Sequence, residues 1–181
     1  MSARLFAALE LPAPVRGALG AFGRAAAADD FALRAVRDDA LHVTLAFLGH
    51  RALDDIDPAR EAVRAVAAPV PDLSLGAALW LAPRRPHVLT VEVADATGAL
   101  LALQERVVAA LVEAVGYEPD RRRFRPHVTV ARVRRGARPG RDLPAPPQAT
   151  FAAEAVTLFR SHLGGGPARY EALERLALSS Q

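Results

Sequence analysis

Two short stretches hold the residues best suited to chemistry: His42-Val43-Thr44-Leu45-Ala46 and His127-Val128-Thr129-Val130-Ala131. Each has one imidazole and, two positions later, one hydroxyl, set in an apolar, β-branched frame that suits a strand. Side chains alternate faces along a strand. His42 and Thr44 therefore share one face, with Val43, Leu45 and Phe47 behind them, and His127 and Thr129 share another, backed by Val128 and Val130. The chain has five His; two of them in the same five-residue frame point to equivalent strands of two related halves that face one another.

An imidazole titrates near neutrality, so of two held together one can accept a proton while the other donates one. Threonine hydroxyls can donate to the non-bridging oxygens of an anion between the rings. Cleavage of a phosphodiester needs these groups: a base for the incoming oxygen, an acid for the leaving oxygen, and donors for the equatorial oxygens. Two His without a placed carboxylate make a poor metal-ligand set, so no metal and no cofactor are expected.

The paired motif and its surroundings resemble the two-histidine (2H) phosphoesterases, and among them the RNA 2′,3′-cyclic phosphodiesterases, which are 2′-5′ RNA ligase-like. The resemblance runs through Arg-Leu-Phe-Ala-Ala-Leu (4–9), Leu-His-Val-Thr-Leu-Ala-Phe-Leu-Gly (41–49), Arg-Phe-Arg-Pro-His-Val-Thr-Val-Ala-Arg (123–132), Leu-Phe-Arg-Ser-His-Leu (158–163) and Ala-Arg-Tyr-Glu-Ala-Leu (168–173). It implies an α+β, bilobal fold: two antiparallel sheets related by a pseudo-twofold axis, helices on their outer faces, and a central cleft. The implied reaction is metal-independent opening of a 2′,3′-cyclic phosphate on RNA or a nucleotide to the 2′-phosphomonoester, with His42 as acid, His127 as base, and Thr44 and Thr129 on the phosphate oxygens. The near symmetry of the motif leaves the acid and base unassigned from the residues alone.

The resemblance also places Arg132 on the phosphate. Strict alternation turns it away from His127, so that role requires a twist or bulge at the strand end. Arg125 shares parity with His127 and is a candidate for the phosphate or an RNA backbone, its alternative being a solvated Arg ahead of Pro126. Phe47 is the positional equivalent of Arg132 and a candidate for base stacking, although parity sends it to the core. His50 and His162 read as exposed loop residues, and His87 lacks a Thr on its own face. The Arg121–Arg125 and Arg132–Arg135 clusters flank the second motif and would attract a polyanion. Ala35 and Ala46 stand where the family pattern has Trp and often Arg or Lys, which bears on the base or RNA length accepted.

With 181 residues, 51% of them hydrophobic, the chain can bury a full core, and residues 1–181 read as one domain of two interleaved lobes. Net charge is +3, yet every basic residue is Arg. The absence of Lys excludes Schiff-base chemistry and a P-loop; the absence of Cys excludes thiol nucleophiles and thiolate metal sites. Nothing resembles a signal peptide or a membrane span, so a cytoplasmic monomer acting on RNA ends or cyclic nucleotides is expected, with no membrane partner. Two alternatives keep the same cleft: a 2′-5′ RNA ligase or 2′-5′ phosphodiesterase acting on tRNA halves or oligonucleotides, and a catalytically inactive RNA-binding module.

The elements that must position these groups follow from periodicity. Strands are expected over 4–9, 31–36, 73–81, 87–93, 150–161 and 169–178, with Gly49 closing the first motif strand and a turn at Gly164-Gly165-Gly166. Helices are expected from Pro12 to Ala28, from Asp54 to Ala68, and over 97–115, where Leu100, Leu103, Val107, Val108, Leu111 and Val115 follow a 3.6 period and Gly116 stops the run. Residues 135–149, rich in Gly, Pro and Arg, read as a long loop.

Overall fold

The computed structural model describes residues 1–82, 84–140, 142–162 and 168–178. In chain order these form β1 (Ser2–Glu10), α1 (Ala13–Asp29), β2 (Leu33–Ala35), β3 (His42–Ala52), α2 (Ile56–Val66), β4 (Leu73–Leu81), β5 (Val88–Asp95), α3 (Ala99–Val115), β6 (His127–Val133), β7 (Thr150–Phe151), β8 (Ala155–His162) and β9 (Arg169–Ala177). The triglycine expected to turn the chain between β8 and β9 lies outside the described residues.

The strands form an antiparallel sheet in the order β7-β4-β5-β6-β3-β1-β8-β9, with β2 alongside β6. Its two four-stranded halves have matching plans. In each, a strand leads through a helix to an antiparallel neighbour that begins with the motif histidine: β1 to β3, and β5 to β6. The halves anticipated as two sheets are joined by one β3–β6 register pair, Val43↔Val128, and by the three pairs of β2 with β6. The helices interlock them, since α1 packs on β2 and β6 while α3 packs on α2, β3 and β5.

The stretch expected as one strand over 150–161 is two. Phe151 pairs with Leu73 of β4, whereas Ala155 pairs with Glu10 of β1, and Ala153 and Glu154 bond to Val70 and Glu10 between them. Four residue steps reach about 14 Å at most, so the first and seventh strands of the order lie close and the sheet is curled. Gly49 does not end β3; at φ 70°, open to glycine, it follows the extra residue Leu48 of a bulge, and the strand runs on to Ala52.

Helix periodicity explains the outer layer. α1 buries Val15, Leu19, Phe22 and Ala26, and α3 buries Leu100, Leu103, Val107, Leu111 and Val115 before Gly116 caps it at φ 60°. These stripes join Leu5, Leu9, Val43, Leu45, Val91, Val128 and Leu158 in a core cluster that spans both halves. Among the described residues no helix is long and apolar enough to cross a membrane.

Candidate active site

The rung between β3 and β6 builds the centre of the site. Counting outward from Val43↔Val128 sets His42 beside Thr129 and Thr44 beside His127, a two-by-two array on one face of the sheet. All four side chains line a cavity of about 410 Å³. Both imidazoles are held in the same way. Nδ1 of His42 donates to the Ala40 carbonyl at 2.8 Å, and Nδ1 of His127 to the Arg125 carbonyl at 2.7 Å. A carbonyl only accepts, so each Nδ1 bears the hydrogen and each Nε2 is the atom left to exchange a proton.

The two rings differ in their surroundings. Phe6 lies 5.0 Å from the His42 ring, Tyr170 meets it edge-on at 5.5 Å, and Phe159 stands 6.4 Å away. Burial among these rings pushes His42 down to about 4, against the opposing effect of the Ala40 carbonyl; the charges of Arg132 and His127 add to the depression, and Glu10 works against it. Glu10 is the register partner of His42 on β1, fixed by the Thr157 hydroxyl at 2.5 Å and by Arg175 at 3.0 Å.

A matched pair of β-bulges decides what else enters the cleft. On β3, Thr44 pairs with Ala8 and Ala46 with Ala7, leaving Leu45 as the extra residue; on β6, Thr129 pairs with Thr90 and Ala131 with Leu89, leaving Val130 extra. Each bulge reverses the alternation downstream of it. Arg132 thus lines the cavity with His127, through the kind of irregularity that the role expected of it requires. Phe47, which parity sends to the core, lines the same cavity and is 48% exposed. The carbonyls the bulges turn aside are both bonded: Leu45 O accepts from Gln104 of α3 at 3.3 Å, and Val130 O from the Val36 amide at 2.8 Å.

Arg125 does not line the cavity. Its side chain faces Glu92 at 3.7 Å, and its carbonyl, rather than its guanidinium, serves His127. His50 and His87 are exposed and outside the lining, and His162 bonds Glu171 at 2.7 Å. The cavity also takes in Arg4, Phe6, Arg34 and Tyr170, which motif reading did not select. Strand parity groups Arg4 with Phe6; that they face His42 depends on the β1–β3 register, and Tyr170 arrives only through the β8–β9 pairing.

A family model described as the 2′-5′ RNA ligase superfamily matches residues 15–165. The chain belongs to this superfamily. Two curated relatives named RNA 2′,3′-cyclic phosphodiesterase are each 32% identical to it: one from Geobacillus stearothermophilus, over 79% of this chain and 47% of the relative, and one from Aeropyrum pernix, over 62% of each. The chain therefore spans about half to three-fifths of the length of these relatives. LigT of E. coli, solved in complex with 3′-AMP, superposes with a TM-score of 0.79 at 27% identity, covering 99% of this chain and 100% of that one. The fold and the recognition drawn from the motifs accord with these matches.

Proposed function

We propose that this superfamily member hydrolyses the 2′,3′-cyclic phosphate of an RNA end or nucleotide to the 2′-phosphomonoester, without a metal. The observation that carries the reading is the pair of imidazoles on one cavity, each with Nδ1 tied to a carbonyl and Nε2 free, each beside a threonine of the other strand. Water attacks phosphorus as His127 Nε2 takes its proton; the P–O3′ bond breaks as His42 Nε2 gives a proton to the departing oxygen. Thr44, Thr129 and Arg132 hold the non-bridging oxygens.

The unlike surroundings of the rings support this division of roles. The leaving oxygen belongs to the nucleoside, which favours the aromatic side of the cleft, where His42 lies against Phe6 and Tyr170; His127 has no aromatic neighbour among the described residues. An acid must be cationic, yet burial holds His42 at about 4. The arriving phosphodiester anion favours the imidazolium and screens it from Arg132, so the proton enters with the substrate.

The test is incubation with 2′,3′-cyclic AMP in chelator, the product's phosphate position read by phosphorus NMR. Formation of 2′-AMP is expected; no turnover, or turnover that the chelator abolishes, refutes the reading. Membership of a superfamily named for ligation favours one second reading. A 5′-hydroxyl in place of water, with O3′ leaving as before, would give a 2′-5′ linkage, detected by supplying RNA halves in the same assay.

A further inference from the structure

Two of the four guanidiniums that line the cavity, and two nearby, are already engaged. Arg37 holds Asp39 at 2.6 Å, Arg24 meets Asp38 at 2.5 Å, Arg125 faces Glu92 at 3.7 Å, and Arg4 lies over the Phe47 ring at 4.8 Å. Arg34 and Arg132 differ. They are register partners across β2 and β6, both are exposed, and both line the cavity. Among the described residues neither forms an ion pair, side-chain hydrogen bond or cation–π contact. Like charges placed directly opposite on a ladder repel, and no carboxylate of the described residues lies against either guanidinium to relieve this. An anion at each guanidinium would replace the repulsion with charge-assisted contacts of the kind that Arg offers a phosphate.

Arg132 follows His127 and Thr129 along β6 on the same cavity, which assigns that guanidinium to the reacting phosphorus; Arg34, its register partner on β2, is left for a second anion alongside. We propose that Arg34 forms, next to Arg132, a subsite for the phosphate on the 5′ side of the terminal nucleoside. The preferred substrate is then one that carries this second phosphate, and a cyclic mononucleotide lacking it leaves the subsite empty. The inference rests on the phosphodiesterase reading above and adds to it what the substrate carries beyond the reacting group. A 5′-phosphate monoester and an internucleotide diester would offer the same chemistry, so both enter the test.

The test compares kcat/KM for 2′,3′-cyclic AMP, its 5′-phosphorylated form, and a dinucleotide ending in the same cyclic phosphate, in the wild type, Arg34→Gln and Arg34→Lys, at low and high salt. In the wild type both phosphate-bearing substrates should exceed cyclic AMP by about tenfold, the scale of one charge-assisted contact. Arg34→Gln should bring those ratios near one, Arg34→Lys should keep part of them, and salt should shrink them. Equal kcat/KM on all three substrates, or a Gln variant with its ratios intact, would overturn the subsite. So would a preference for the dinucleotide alone, which would assign the gain to the neighbouring nucleoside. Turnover of none of the three would refute the phosphodiesterase reading itself, a result distinct from flat ratios.

Discussion

The identical anchoring of two histidines gives the site its most direct test. Replacing His42 or His127 by Ala should lower kcat on 2′,3′-cyclic AMP by about two to four powers of ten each, and Thr44→Val or Thr129→Val by about one to two. The double histidine variant should fall little below either single one, because groups that act as a unit are not additive; steady-state rates against an active wild-type control decide this. The environment of His42 makes two further statements. Its NMR titration should stay near 4 in the empty protein and rise when 2′-AMP is added, and a midpoint that does not move would remove His42 from the acid's role. For stability the sign follows from the same depression. Above about pH 6.5 the ring is neutral in folded and unfolded chains; as pH falls toward 4, the unfolded chain binds a proton that the folded one refuses. Stability should therefore drop across that window, by on the order of 2 kcal/mol after allowance for partial exposure. Urea unfolding at several pH values should show a flatter dependence for His42→Gln, and equal slopes would contradict the burial argument.

Single elements explain why some of these residues are legible in the chain and others are not. A His and a Thr two apart share a strand face however the strand is later packed, so the four central groups need no tertiary information. Phe47 and Arg132 lie beyond a bulge in each strand, and an extra residue is invisible to alternation; both therefore read with the wrong parity until the partner strand is seen. The β6 bulge also leans on a helix. A Cβ at Gly23 of α1 would stand 2.5 Å from the Val130 carbonyl oxygen, which is backbone and already bonded by the Val36 amide. Gly23→Ala should thus push on the bulged residue itself, costing about 1–3 kcal/mol and lowering kcat/KM through misplacement of Thr129 and Arg132. Thermal melts and kinetics on one preparation would check both, and a variant with wild-type melting and activity would show that the helix does not brace the bulge.

At the scale of the whole molecule, the rhythm of strands and helices announces a doubled α+β plan, and the doubling is present. The join is not legible, because one register pair between β3 and β6 leaves no pattern in the residues. The split between β7 and β8 is hidden too, since Ala152, Ala153 and Glu154 interrupt an apolar run without a Gly or Pro to mark the crossing. A continuous core and helices docked across the seam predict that the halves unfold together. Calorimetry should give one transition with equal calorimetric and van't Hoff enthalpies; two resolved transitions would show that the halves are energetically separate. The short join between the halves, one β3–β6 pair and three β2–β6 pairs, bears on how the cleft can change. A long ladder would dictate the tilt of one half against the other. With so short a join, that tilt also depends on what wedges the seam from outside, α1 against β2 and β6 and α3 against β3. The gap between the two imidazoles can then be widened or narrowed from the far surface of the molecule, so substitutions on the outer helices, outside the cavity lining, are a route by which a chain of this design could be retuned to larger or smaller ligands.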